Sequence, residues 1–338
     1  MTNAPRRGTH RLSPRHFAPR WWPTWLALGV LLLVTQLPRA LRHAIARPIA
    51  ALAWRFNHKR RHIVLVNLAL CFPEFSASER EALGRRHFQV VARTFLDIGL
   101  IWFAGTRRLL RNVAVEGWEH FEQARAEGRN IILHVAHSTA LDFGAMAIGS
   151  REAGVGPYNE APNAVIDWWL AHGRRRFGNA VFERDDGMLA YTRALKSGTF
   201  LYTLTDEDFG PEASVYAPFF GRDKATLPIV SRLARLANAV VLPVMTYYDD
   251  ARDIYLTRIA PPLTGFPTRN LVRDATQLNR ALEQMISVAP EEYMWTLRLF
   301  RTQPDGTRVY QSLALDTPRI APADPVGRRG AGPGGNVV

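Results

Sequence analysis

From Val113 onward the chain alternates short strand-like runs with helical ones, and this alternation constrains the fold more than any other feature. VAVEG precedes WEHFEQARAEG, NIILHVAH precedes a helical run from Ser138 to Ala147, and AVFE precedes a helix over Met188–Lys196. TFLYTLTD leads into a loop, LPIVSRLARLAN into AVVLPVMTYY, and DIYLTRI into a helix near Asn270–Val288. Such a succession predicts an α/β fold with a central, mostly parallel sheet flanked by helices. NIILHV and AVVLPVM are apolar at successive positions, as in strands covered on both faces. Upstream, Ser76 and Glu79 have capping-box spacing, and residues 79–104 line up Leu83, Phe88, Val91, Phe95 and Leu96 along much of one helical face.

Charge separates the N-terminus from the rest. The formal net charge is +13, yet residues 1–73 contain no Asp or Glu and hold twelve of the 43 basic residues, leaving 31 basic against 30 acidic beyond them. A near-neutral body argues against a nucleic-acid surface. Arginines interleaved with Trp and Leu suit an anionic membrane, at roughly 1 kcal/mol per basic residue near the headgroups. The uncharged run from Trp21 to Leu37 is about as long as the roughly 17–25 residues that a spanning helix needs, with its Trp residues as interface anchors. A retained helical membrane anchor is expected, as a short or tilted span or as a helix lying in the interface. Arginines on both flanks do not orient this segment by themselves, but their density favours a body held at the cytoplasmic face. The single Cys71 excludes an intrachain disulfide and fits a reducing compartment. Three segments follow: a basic tail and anchor helix over 1–45, the main domain over 46–310, and a Pro-, Gly- and Arg-rich tail over 311–338 that reads as disordered.

The chemistry concentrates at His137-Ser138-Thr139-Ala140-Leu141-Asp142. A histidine at a strand end projects from the carboxyl edge of the sheet, where open α/β sheets place their ligands. Asp142, five residues on, lies on the first helical turns and can fold back to the imidazole. A carboxylate on one ring nitrogen fixes the tautomer and leaves the other nitrogen as a general base. The alternative is a capping cluster, with Ser138 or Thr139 as the N-cap. Ser138 as a covalent nucleophile is disfavoured by the lack of Gly-x-Ser-x-Gly. His134-x-x-His137 is half a zinc motif without its glutamate, and Asp206-Glu207-Asp208 could hold a divalent cation; neither set carries a metal expectation.

These residues belong to a longer ordered series. It runs through Pro14-Arg15-His16, Asn67 to Glu74, Val115-Glu116-Gly117, the His137-x4-Asp142 box, Ile166 to Trp169, Ala194 to Gly198, Asp206-x-Asp208-Phe209-Gly210-Pro211, Pro218-Phe219-Phe220, Leu233-Ala234-Arg235, Val241 to Val244 and Ala289 to Trp295. With this series the chain resembles the late lipid A acyltransferases, the lauroyl and myristoyl transferases of the lysophospholipid acyltransferase superfamily, from about Pro14 to Gly306. The resemblance implies a membrane-bound acyltransferase of the bacterial inner membrane, acting without a cofactor. Its implied donor is acyl-acyl carrier protein. Its implied acceptor is a hydroxyl on an acyl chain of the Kdo-bearing lipid A precursor.

The resemblance also implies His137 and Asp142 as the catalytic pair, and Arg184 as a phosphate or oxyanion contact unless it pairs with Asp185 or Asp186. Asp206 and Asp208 fall in the acceptor-side acidic block and could instead cap the following loop. Arg174 and Arg175, with Arg176, form a basic cluster that could meet the carrier protein or headgroups, or simply be a solvated helix face. Leu297 and Leu299 stand where the family has a histidine and an arginine, and Lys224 to Pro228 replaces a threonine-rich run; both departures bear on the acceptor. The other readings are acyl transfer to a different lipid or glycolipid, and a non-catalytic membrane-binding relative.

Overall fold

A computed structural model describes residues 12–158, 160–177, 180–183 and 187–312. Six helices precede the first strand: α1 (Trp22–Gln36), α2 (Arg39–Phe56), α3 (His58–Cys71), α4 (Ala77–Asp97), α5 (Gly99–Phe103) and α6 (Thr106–Leu110). The capping box at α4 forms as its spacing predicts: Ser76 Oγ accepts from Glu79 N at 3.2 Å, and Glu79 Oε2 accepts from Ser76 N at 2.7 Å. The single helix expected over 79–104 is broken at Ile98, where α5 begins with Gly99. A Cβ on Gly99 would lie 1.9 Å from Thr35 Oγ1, so the glycine admits the close approach of α1.

The remainder alternates as expected. It comprises β1 (Val113–Glu116), α7 (Trp118–Ala126), β2 (Asn130–Val135), α8 (Leu141–Gly149), β3 (Gly154–Tyr158), α9 (Ala164–Arg174), β4 (Ala180–Glu183), α10 (Gly187–Lys196) and β5 (Phe200–Thr203). A hairpin of β6 (Val215–Phe219) and β7 (Arg222–Thr226) follows, then α11 (Ile229–Ala237), β8 (Ala239–Asp249), β9 (Ile254–Ile259), α12 (Leu271–Ile286) and the short α13 (Val309–Ser312). Seven strands form one sheet in the order β1-β9-β8-β2-β5-β3-β4, and every neighbouring pair is parallel except β8 with β9. The fold is therefore α/β with a mostly parallel central sheet between helices. Ile131, Ile132, Leu133 and Val135 of β2 are all fully buried, with His134 buried between them, as in a strand covered on both faces. Strand β3 gives no such signal, because its sequence is Gly-Val-Gly-Pro-Tyr. Its glycine is sterically required: a Cβ on Gly154 would sit 2.1 Å from the Phe200 ring of β5.

The N-terminal segment differs from a spanning anchor. Helix α1 has 15 residues, about 22 Å at 1.5 Å per residue, against a hydrocarbon core of about 30 Å. Among the described residues no helix is long and apolar enough to cross a membrane. Leu28, Leu31 and Thr35 of α1 are buried against the body, while Trp22, Leu26, Val30 and Leu33 are exposed along one face. Helix α2 runs without interruption through residue 45, and its arginines are used internally. Arg42 Nε donates to Asp97 Oδ1 at 2.7 Å, His43 Nε2 lies 3.1 Å from Asp97 Oδ2, and Tyr255 Oη donates to that oxygen at 2.9 Å. Arg39 bridges to Asp253 at 2.7 Å. The acid-free charge pattern is thus partly an intramolecular one, its counter-charges lying far along the chain.

Asp97 and Arg42 are both almost fully buried, so removing one strands the other without a counter-charge. Asp97→Ala should destabilise the protein by about 3–5 kcal/mol, read as a lowered thermal midpoint in detergent. A loss within about 0.5 kcal/mol would show that the pair does not tie α2 to the body.

Candidate active site

The site is built by strand register. Strands β2 and β5 are parallel neighbours with His134 opposite Thr203. His137, three residues beyond His134, therefore leaves the carboxyl edge of the sheet beside Asp206, three beyond Thr203. Asp206 Oδ1 meets His137 Nδ1 in a short contact, and Oδ2 accepts from the His137 backbone N–H at 2.8 Å and from Tyr293 Oη at 3.0 Å. His137 Nε2 makes no hydrogen bond among the described residues, and the side chain is 21% exposed while that of Asp206 is 0% exposed. Such an imidazole is held in one orientation and offers one free nitrogen to an incoming hydroxyl.

The electrostatics follow from this geometry. Burial opposes charge on His137, but the Asp206 charge and hydrogen bond outweigh it and raise its pKa above the ordinary value. Asp206 resists protonation in turn: burial favours its neutral form, yet His137 and the more distant Lys224 hold it well below the usual carboxylate range. His134 is a different case, buried at 1% exposure, with burial pushing its pKa down to about 4. It is a neutral core residue. No group of three metal-ligating side chains occurs among the described residues.

The pairing expected between His137 and Asp142 is not formed. Asp142 sits in the first turn of α8 and accepts from Arg174 Nε at 2.9 Å, an ion pair at the C-terminal end of α9. The turn at 138–140 carries Asp142 toward α9, whereas the β5 register delivers Asp206 to the imidazole. Adjacent arginines at the end of α9 diverge with the helical rotation of about 100° per residue. Arg174 faces Asp142 and lies over the Tyr158 ring at 5.6 Å; Arg176 donates to Ile101 O at 2.8 Å and fastens α5; Arg175 is half-buried at the helix C-cap. The basic cluster is accordingly divided among three environments. Asp208 accepts from Gly210 N at 2.9 Å and Thr302 N at 2.6 Å, the loop-capping alternative. Arg184 lies outside the described residues.

Ser138 is fully buried and its Oγ has no hydrogen-bond partner among the described residues, so it does not face a substrate. It instead bridges by backbone to Tyr293, within a C-terminal segment that straps the His137 turn: Met294 N donates to His137 O at 2.7 Å and Thr139 N to Glu292 O at 2.8 Å. Burial pushes the Glu292 carboxyl up to about 6 against the opposing charge of Arg93, 2.6 Å away. In the sequence Tyr293 stands out only as part of the family-like stretch Ala289 to Trp295. Leu299 is fully buried and Leu297 packs against the same core, so the departures there are packing changes.

Beside the Asp142–Arg174 pair is an apolar cleft, whose space of about 540 Å³ includes its open, solvent-filled mouth. Asp142, Pro157, Arg174 and Leu204 are half-exposed at one end, on the carboxyl side of the sheet. Met146, Gly154, Val155 and Phe200 are buried at the other. The burial gradient and the strand direction agree on a polar mouth and a closed apolar floor.

His137 carries a raised pKa, so its pairing stabilises the folded state fully below the ordinary histidine value of about 6.5 and is lost as pH rises through the raised value. Followed by NMR, the His137 ring should titrate above that ordinary value, and Asp206→Asn should move its titration downward. An unchanged titration would break the pairing.

The profile for "Bacterial lipid A biosynthesis acyltransferase" matches residues 10–302. The lipid A biosynthesis lauroyltransferase of Escherichia coli K12 is 36% identical over 90% of this chain and 98% of its own length. A lipid A biosynthesis acyltransferase of Haemophilus influenzae is 34% identical over 87% and 92%, and the Escherichia coli lipid A biosynthesis myristoyltransferase 30% over 85% and 90%. A solved 1-acyl-sn-glycerophosphate acyltransferase from Thermotoga maritima superposes with a TM-score of 0.33 at 18% identity, covering 75% of this chain and 98% of that one. With the family model matching most of its length and relatives at 30–36% identity over 85–90% of it, the chain belongs to the bacterial lipid A biosynthesis acyltransferases.

Proposed function

We propose that this enzyme transfers a fatty acyl group from acyl-acyl carrier protein to a hydroxyl on an acyl chain of a Kdo-bearing lipid A precursor, with His137 as general base. The observation that carries the reading is a carboxylate-held imidazole with a free Nε2, five residues before the Asp142 that lines the polar mouth of an apolar cavity. The acceptor hydroxyl gives its proton to Nε2 as its oxygen attacks the thioester carbonyl. The C–S bond then breaks, and the departing thiolate takes the proton from the imidazolium. No covalent enzyme intermediate is needed, in keeping with the buried Ser138. Asp206 orients the base and stabilises the imidazolium. Asp142 has a different role from the one its spacing suggested: it holds Arg174 at the cavity mouth, where a guanidinium can meet the developing oxyanion or an acceptor phosphate.

The cavity takes an acyl chain, whose methylenes match its lining. The exposed face of α1, with Leu52 and Phe56 of α2, sinks into the cytoplasmic leaflet of the inner membrane and lies in the interface, the second of the two arrangements expected for the anchor. Arg15 and Arg20 flank that face and meet anionic headgroups.

His137→Ala should lower turnover by about 10²–10⁴-fold with binding of membrane retained. Ser138→Ala should keep most activity, and an acyl adduct trapped on Ser138 would overturn the mechanism. Lipid A from a strain lacking the gene should miss one secondary acyl chain by mass spectrometry; unchanged lipid A would mean a different acceptor. Restoring that strain with Ala145→Phe, which fills the cavity from the α8 side, should shift the added chain to a shorter one. An unaltered chain length would place the acyl group elsewhere.

A further inference from the structure

Two buried polar side chains near Asp206 have no part in the reading above. Tyr293 is fully buried and spends its hydroxyl on Asp206 Oδ2, 3.0 Å away, although phenylalanine would fill the same space between Phe219 and Trp295. Lys224 on β7 is also fully buried. Among the described residues its ammonium has only Ala225 O at 3.5 Å and the Phe219 ring at 5.6 Å, poor satisfaction for a charge removed from water. What compensates it is the acidic run facing β7, Asp206, Glu207 and Asp208.

We infer that Tyr293 and Lys224 are positioning residues that set the protonation of His137 through Asp206, keeping the base free for the acyl transfer proposed above. The Tyr293 hydroxyl competes with the imidazole for the Asp206 carboxylate, and the Lys224 charge repels a proton on the ring and neutralises Asp206 from behind. Both weaken the hold of Asp206 on an imidazolium, so His137 is a base at a lower pH than the bare pair would allow. The groups facing this pair are His134 from β2, the three acids after β5, Lys224 from β7 and Tyr293 from the C-terminal strap. Cys71 from α3 lies behind Lys224, its thiol kept protonated by burial. Lys224 itself is drawn down to about 8 by burial against the pull of Asp206 and Asp208, so its charge acts mainly below that pH.

The test is the pH dependence of kcat and KM for full-length Tyr293→Phe and Lys224→Met in detergent, with His137→Ala and wild type alongside. Removing either group raises the His137 pKa, so the acidic limb of kcat should move to higher pH. Below the limb kcat should fall by roughly 3- to 10-fold with KM within about 2-fold, and activity should recover above it. For Lys224→Met the difference should close above about pH 8. NMR titration of the His137 ring in the inactive-pH range should report the same upward move independently of turnover. Equal losses at every pH, or an unmoved limb and titration in both variants, would overturn this inference alone. Full activity in His137→Ala would instead overturn the reading on which it rests.

Discussion

The Asp206 carboxylate, taken wholly out of water at the sheet edge, is the constraint around which the site is organised. An isolated buried carboxylate costs several kcal/mol, so it persists only where donors converge on it. Here they arrive from three parts of the chain: the backbone and ring of His137 after β2, the Tyr293 hydroxyl from the C-terminal strap, and the charge of Lys224 from the β6–β7 hairpin. Satisfying one carboxylate thereby fixes the orientation of the His137 imidazole, the path of the strap and the seat of the hairpin.

The same logic of stranded charge runs through the rest of the molecule. Asp97 gathers Arg42, His43 and Tyr255, and Glu292 gathers Arg93, Thr139 and the Tyr248 backbone. These clusters fasten the N-terminal helices and the C-terminal strap to the sheet. Helix α1 is held by burial of Leu28 and Leu31 and by the close passage of Thr35 over Gly99, which leaves its opposite apolar face uncovered. A helix half committed to protein packing cannot also be surrounded by lipid, so the attachment proposed for this face would be peripheral in geometry.

Close along the chain to the buried ion pair is its physical opposite, an apolar cavity whose floor is made by residues without a polar side chain. Its shape depends on β3 carrying glycine where the Phe200 ring passes, and its mouth on the Asp142–Arg174 pair between α8 and α9. The polar and apolar halves are linked because β2 and β5 are neighbours in the sheet while α8 connects β2 to β3 on the far side of β5.

By itself the sequence determined the α/β class, the strands and helices with strong periodicity, the capping box at Ser76, and His137 as the residue at the end of an apolar strand. Each is a local property, since hydrophobic period and capping residues act within one element. It could not show β3, whose glycines and proline answer to a ring on another strand, nor the β6–β7 hairpin, which lay in an apparent loop. The partner of His137 was decided only by tertiary structure. Five residues of spacing pointed to Asp142, but strand order put β5 beside β2 and delivered Asp206 from 69 residues away, leaving Asp142 to Arg174. The destination of the N-terminal arginines was decided in the same way, because a charge pattern records which groups need partners and the fold alone supplies them.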